Sequence, residues 1–181
     1  GAMEDASDRR ALAWIAGAAS LGAGAVHAAA IGAHAEHPAV VKTFTVLAVA
    51  QLGWGALQFV RQSRLVSSIG LAVNGAALVG WIMAKTSGIS FVDGLEASEP
   101  TQWADGLCAA LAAVAVLTTF VAIVRGANDQ SASTLTTHPA FRRLAIGVSV
   151  SIAALTLTGM NAAAVHRHEG DGHGETAAAH S

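Results

Sequence analysis

The sequence predicts an all-α integral membrane protein: a bundle of five transmembrane helices with a cytoplasmic N-terminus and an external C-terminus. Three observations predict it. Of 181 residues, 53% are hydrophobic and 12% charged, about half the charged share of a soluble domain. Five stretches, 11–33, 43–60, 65–84, 106–124 and 144–165, contain no Asp, Glu, Lys or Arg, and about 20 such residues cross a hydrocarbon core. The basic residues also sort by side. Arg9, Arg10, Arg61, Arg64, Arg125, Arg142 and Arg143 fall on one face of a five-helix arrangement, and only Lys42, Lys85 and Arg167 on the other. Basic residues mark the cytoplasmic face.

The same numbers exclude other classes. The chain has too few charges to cover a soluble or a disordered protein, and a formal charge of −2 without a basic run excludes a nucleic-acid binder. A single cysteine excludes an internal disulfide framework and a cysteine-based zinc finger.

Taken in order, Gly1-Ala2-Met3 reads as the remnant of tag removal, and residues 1–10 form a cytoplasmic N-terminal segment. Residues 11–165 form the transmembrane domain. Its first span is too long for a signal-peptide core and has no convincing cleavage site, so it is read as a retained helix. Pro38 directly follows His37, which ends helix 1 and puts proline in the first turn of helix 2, making a tight external hairpin. The segment 85–101 carries Gly88, Gly94 and Pro100, and its apolar Ile89, Phe91 and Leu95 predict packing on the membrane surface. The polar stretch 126–139 is cytoplasmic turn material. Residues 166–181 form a His-rich external tail, read as disordered. Trp14, Trp81 and Trp103 suit interfacial belts. Gly24, Ala28 and Gly32, with Gly17, Gly53, Gly55, Gly75 and Gly80, provide small faces for close helix packing.

Seven of the eight histidines fall on the external side: His27, His34, His37, His166, His168, His173 and His180. His27 and His34 are seven apart and share a helix face, and His37 follows three residues on. With His166 and His168 at the matching level of helix 5, and Met160 one to two turns deeper near the depth of His27, imidazole and thioether groups converge on one end of the bundle. That chemistry predicts a transition-metal ion, copper favoured and zinc next. Asp105, Glu99 and Lys85 are charged neighbours able to join the set. The bland alternative is that His27 hydrogen-bonds across helices to Asn74 or Gln51, and that Gln51 and Gln58, seven apart on helix 2, are interhelical glue. His34 and His37 would then be a solvated pair at a hairpin. Cys108 reads as a small buried residue.

The ordered set His27, His34, His37-Pro38, Gln51-Leu52-Gly53-Trp54, Arg61, Arg64, Asn74, Trp81, Lys85-Thr86-x-Gly88, Glu99-Pro100 and Asp105 resembles a group of small uncharacterised polytopic membrane proteins of high-GC Gram-positive bacteria, over roughly residues 20–165. The resemblance implies a bacterial source and a multi-pass plasma-membrane location, and it supplies no activity or site. The functional expectation therefore rests on the residues. It is an external-face metal-binding protein for acquisition, delivery or resistance, in contact with the lipid bilayer, alone or within a homo-oligomer or membrane complex. The alternatives are a metal-dependent membrane enzyme, a haem protein with two axial imidazoles such as His34 and His166, and a scaffold subunit.

Overall fold

A computed structural model describes residues 2–93, 95–98, 101–128, 143, 147–148 and 150–161. All regular structure among them is helical: α1 (Ala2–Ala30) continued by a 3-10 turn (Ile31–His34), α2 (Pro38–Val60), α3 (Arg64–Thr86), α4 (Trp103–Asn128) and a shorter α5 (Val150–Asn161). Four helices are long and apolar enough to cross a membrane, spanning Ser7–His34, Pro38–Val60, Arg64–Thr86 and Trp103–Gly126. At 1.5 Å per residue, the 23 residues of α2 or α3 reach about 35 Å against a hydrocarbon core of about 30 Å. Of the fifth expected span, 12 residues' worth of apolar helix, Val150–Asn161, lies among the described residues. His166, His168 and Glu99 lie outside them, as do the tail and the polar stretch 129–139.

The helices run alternately up and down. α1 packs on α2 and α4, α3 packs on both α2 and α4, and the ring is thereby closed. This is the connectivity that short loops impose on a helical bundle. Arg10, Arg61, Arg64 and Arg125 gather at one end, while His34, His37, Lys42 and Lys85 gather at the other. α5 lies along α1 and α4: Ile152 and Met160 join the core cluster formed by Ile15, Ala19, Ala23, Val26, Leu107 and Leu111.

Burial is reversed relative to a water-soluble protein. Gln51, Asn74 and Ser20 are fully buried, whereas Val46, Val49 and Leu117 are each more than 60% exposed. Such an exterior belongs in hydrocarbon, where helices satisfy their own backbone groups. Helix association then depends on close packing. A Cβ placed on Gly55 would lie 2.8 Å from the Gly17 carbonyl, so α1 and α2 touch backbone to backbone. Gly53, Gly75 and Gly80 instead have open space where a Cβ would stand, with nothing within 4 Å among the described residues.

Two local devices shape the bundle. A Cβ on Gly70 would come within 1.9 Å of the Trp54 ring, so the absent side chain makes room for the indole. Trp54 Nε1 then donates to the Val66 carbonyl at 2.6 Å, tying α2 to the first turn of α3. At the other end the hairpin forms as the His37-Pro38 pair predicts: Pro38 occupies the first turn of α2, and His37 N donates to His34 O at 2.9 Å. The α3–α4 connection folds back over the bundle. Gly88 has φ +71°, and its Cα faces the Glu96 backbone too closely for any Cβ. This left-handed turn sends Leu95 into a buried position, while Phe91 remains exposed.

Candidate functional site

A cavity of about 220 Å³ lies between α1, α2, α3 and α4 toward the Lys85 end. Its walls are mainly apolar, from Val26, Leu47, Ala77 and Ala112, and Ile89 and Leu95 of the α3–α4 connection line it as well. The polar groups that reach it are His27, His34, Thr43, Trp81, Lys85, Asp105 and Cys108.

His27 sits at the end of a buried hydrogen-bond chain. Its Nδ1 lies 2.8 Å from Gln51 Oε1, Gln51 Nε2 lies 3.2 Å from Asn74 Oδ1, and Asn74 Nδ2 lies 3.2 Å from the Gly70 carbonyl. The chain has a direction fixed by its last member. A carbonyl only accepts, so Asn74 must present its NH2 to Gly70 and its oxygen to Gln51. Gln51 then donates to Asn74 and presents its own oxygen to His27. The imidazole must therefore donate through Nδ1–H, and in the neutral ring Nε2 carries the lone pair. Ser20 Oγ also donates to the Gln51 carbonyl oxygen at 2.9 Å, so α1 and α2 are joined at two adjacent points.

His34 follows the same logic. Its Nδ1 lies 3.0 Å from the Ala30 carbonyl, which makes Nδ1 the donor, so that in the neutral ring Nε2 carries the lone pair. Phe44 packs against both imidazoles, with ring centroids 5.2 Å from His27 and 5.1 Å from His34. Seven-residue spacing puts Phe44, Gln51 and Gln58 on one face of α2. That spacing was the available sign that an aromatic would accompany the histidines.

Cys108 stands beside His27, with Sγ 3.5 Å from Nδ1 and 3.7 Å from Nε2. Near-equal distances to both ring nitrogens show that the sulfur does not lie along either nitrogen's own lone-pair or N–H direction. Its thiol is directed instead at the Ala23 carbonyl at 3.5 Å. At the end of the cavity Lys85 Nζ meets Asp105 Oδ2 at 2.7 Å, with the lysine 11% and the aspartate 33% exposed. The same oxygen accepts from the Gln102 backbone N–H at 3.2 Å, securing the start of α4. Trp81 lines the cavity, and its buried indole N–H has no hydrogen-bond partner among the described residues.

Of the predicted metal ligands, His27, His34, His37 and Met160 lie among the described residues, and His166 and His168 lie outside them. Among the described residues no three of His, Cys, Asp and Glu come together in a group able to hold a metal ion. His27 and His34 share the cavity, His37 is exposed at the hairpin, and Met160 packs into the core cluster. The cross-helix bond of His27 to Gln51 is present, and Asn74 joins the chain through Gln51. Gln58 does not: its Oε1 is buried without a partner among the described residues. The buried indole N–H of Trp81 and the position of Cys108 beside the imidazole had no signal in residue spacing.

Comparison of the chain with protein-family models, with curated proteins and with solved structures finds no match.

Proposed function

We propose that this is a multi-pass bacterial plasma-membrane protein that binds a small, mostly apolar organic molecule carrying a hydroxyl or equivalent group. One observation carries the reading: a largely apolar cavity is lined by His27, whose Nε2 is an oriented acceptor, and by Trp81, whose buried indole N–H has no hydrogen-bond partner among the described residues. A buried donor without a partner costs roughly 1–3 kcal/mol, and a hydroxyl group can accept from Trp81 while donating to His27. The size supports a compact ligand. An apolar cavity of about 150 Å³ accommodates benzene, so about 220 Å³ suits a substituted single ring or a short branched chain. The Lys85–Asp105 pair closes the polar end, and the distribution of basic residues supports an external location for it.

Phenol and toluene test the reading because they match in shape and differ in the hydroxyl. Bound ligand stabilises a protein by RT ln(1 + [L]/Kd). Phenol is therefore expected to raise the melting temperature of the purified protein more than toluene does, and Trp81→Phe to abolish the difference. Equal effects of the two compounds in the wild-type protein would remove the hydroxyl from the account.

The His27 tautomer favours one second reading. Metal-bound histidines usually donate their other ring N–H to a fixed acceptor, and copper(I) accepts imidazole with a soft sulfur ligand. Under this reading His27 Nε2 and Cys108 would hold copper(I), ahead of zinc, after the thiol turned off the Ala23 carbonyl and lost its proton. Elemental analysis after copper loading tests it. About one copper per chain, lost in His27→Ala, is expected, and a copper-free protein after loading rejects it.

A further inference from the structure

At the opposite end of the bundle a recess of about 300 Å³ lies between the start of α1 and the end of α2, lined by Arg10, Trp14, Phe59, Val60 and Gln62. Its aromatic part is a pair: Trp14 and Phe59 have ring centroids 6.4 Å apart, tilted by 36°. Both are more than 40% exposed. The arginine that lines it is Arg10; Arg61 stands between Val60 and Gln62 in sequence and Arg64 opens α3, both beside the recess rather than in its lining. All three arginines are exposed, and among the described residues none of them has a carboxylate partner. An occupant has to combine an anion at the arginines with an apolar chain against Trp14, Phe59 and Val60.

We propose that this recess is a specific site for one anionic glycerophospholipid. Arg10 and Arg61 bind the phosphate, and the proximal acyl chain lies along the Trp14–Phe59 pair. Guanidinium groups match phosphate through paired N–H donors, tryptophan settles at the level where headgroup meets chain, and basic pockets between membrane helices select anionic headgroups. Arginines that serve topology alone would attract anionic lipid diffusely, without saturation at one lipid per chain.

Native mass spectrometry of the detergent-solubilised full chain distinguishes the two, using dioleoyl phosphatidylglycerol, dioleoyl phosphatidylcholine and glycerol 3-phosphate as probes. The site predicts saturable retention of one phosphatidylglycerol, at least about 10-fold preferred over phosphatidylcholine, since each basic residue adds appreciably to anionic-lipid affinity. Glycerol 3-phosphate, which lacks the chains, is expected not to be retained. Arg10→Gln/Arg61→Gln should bring the two lipids to parity, and Trp14→Ala should weaken both. Helical circular dichroism confirms that each variant is folded. A second measurement needs no arginine variant: brominated-chain phosphatidylglycerol should quench wild-type fluorescence more than brominated phosphatidylcholine, with the excess absent in Trp14→Phe. No lipid preference, non-saturating binding, a preference that survives the double variant, equal quenching by both lipids, or retention of glycerol 3-phosphate as strong as that of the lipid would each overturn the proposal.

Discussion

Replacing Gln51 by Leu keeps the side chain's bulk and removes a donor and an acceptor from the buried centre of the bundle. Two bonds are lost: that of His27 Nδ1–H to Gln51 Oε1 and that of Gln51 Nε2 to Asn74 Oδ1. The Ser20 bond to the Gln51 backbone oxygen is untouched. Interhelical hydrogen bonds in membranes average about 0.6 kcal/mol and reach about 1.7, and the two orphaned groups add part of their desolvation penalty. The sum is about 1–3 kcal/mol. Gln58 is the internal control, seven residues on and equally buried. Its Oε1 has no partner among the described residues, so Gln58→Leu is expected to cost less than about 0.5 kcal/mol or to stabilise. Unfolding of both variants by sodium dodecyl sulfate in mixed micelles, followed by circular dichroism, gives the comparison. Asn74→Leu added to Gln51→Leu should cost less than the sum of the single variants, because the residues act as one chain. Equal losses for Gln51→Leu and Gln58→Leu would refute the chain as a stabilising element.

Other substitutions probe the devices around it. Gly70→Ala puts a methyl group into the space of the Trp54 ring, and overpacking of this kind costs about 1–3 kcal/mol. Trp54→Ala in the same chain should relieve the clash, which unfolding of the single and double variants checks. Asp105→Asn leaves the 11%-exposed Lys85 without this carboxylate. The expected loss is about 1–3 kcal/mol, between the values for exposed and buried pairs. Lys85→Met added to Asp105→Asn should recover part of it, and a double-mutant cycle measures how much.

The long spans are legible in the sequence because a charge-free run of about 20 residues has few other uses. The start of α1 is not: Arg9 and Arg10 mark where hydrocarbon ends, whereas the helix itself begins at Ala2. The hairpin was readable from His37-Pro38, since proline is accepted in a first turn and disfavours a helix before it. The histidine column was only half readable. Seven-residue spacing places His27 and His34 on one face of a continuous α-helix. The backbone tightens to a 3-10 turn at Ile31, with three residues per turn, and His34 bonds to Ala30 O, while both imidazoles still line one cavity and pack on Phe44. Gln51 and Asn74 announce themselves as polar residues inside apolar spans. Their bonding order, and with it the tautomer of His27, depends on how α2 and α3 are rotated about their own axes. No spacing within one helix encodes that rotation. Trp81, at a helix end, suits an interfacial belt, and its sequence position does not say which way the indole N–H points. In the fold that N–H is buried and has no partner among the described residues, which depends on the neighbouring helices.

The most direct test of the cavity's chemistry is the 15N NMR spectrum of His27 and of the Trp81 indole in the detergent-solubilised protein, without additive and with phenol or toluene. The account predicts a neutral His27 ring protonated on Nδ1, with Nε2 in the unprotonated range. Phenol should shift both His27 Nε2 and the Trp81 N–H through its hydroxyl, and toluene should leave Nε2 in place. A ring protonated on Nε2 alone, or identical shifts with both compounds, would contradict the account.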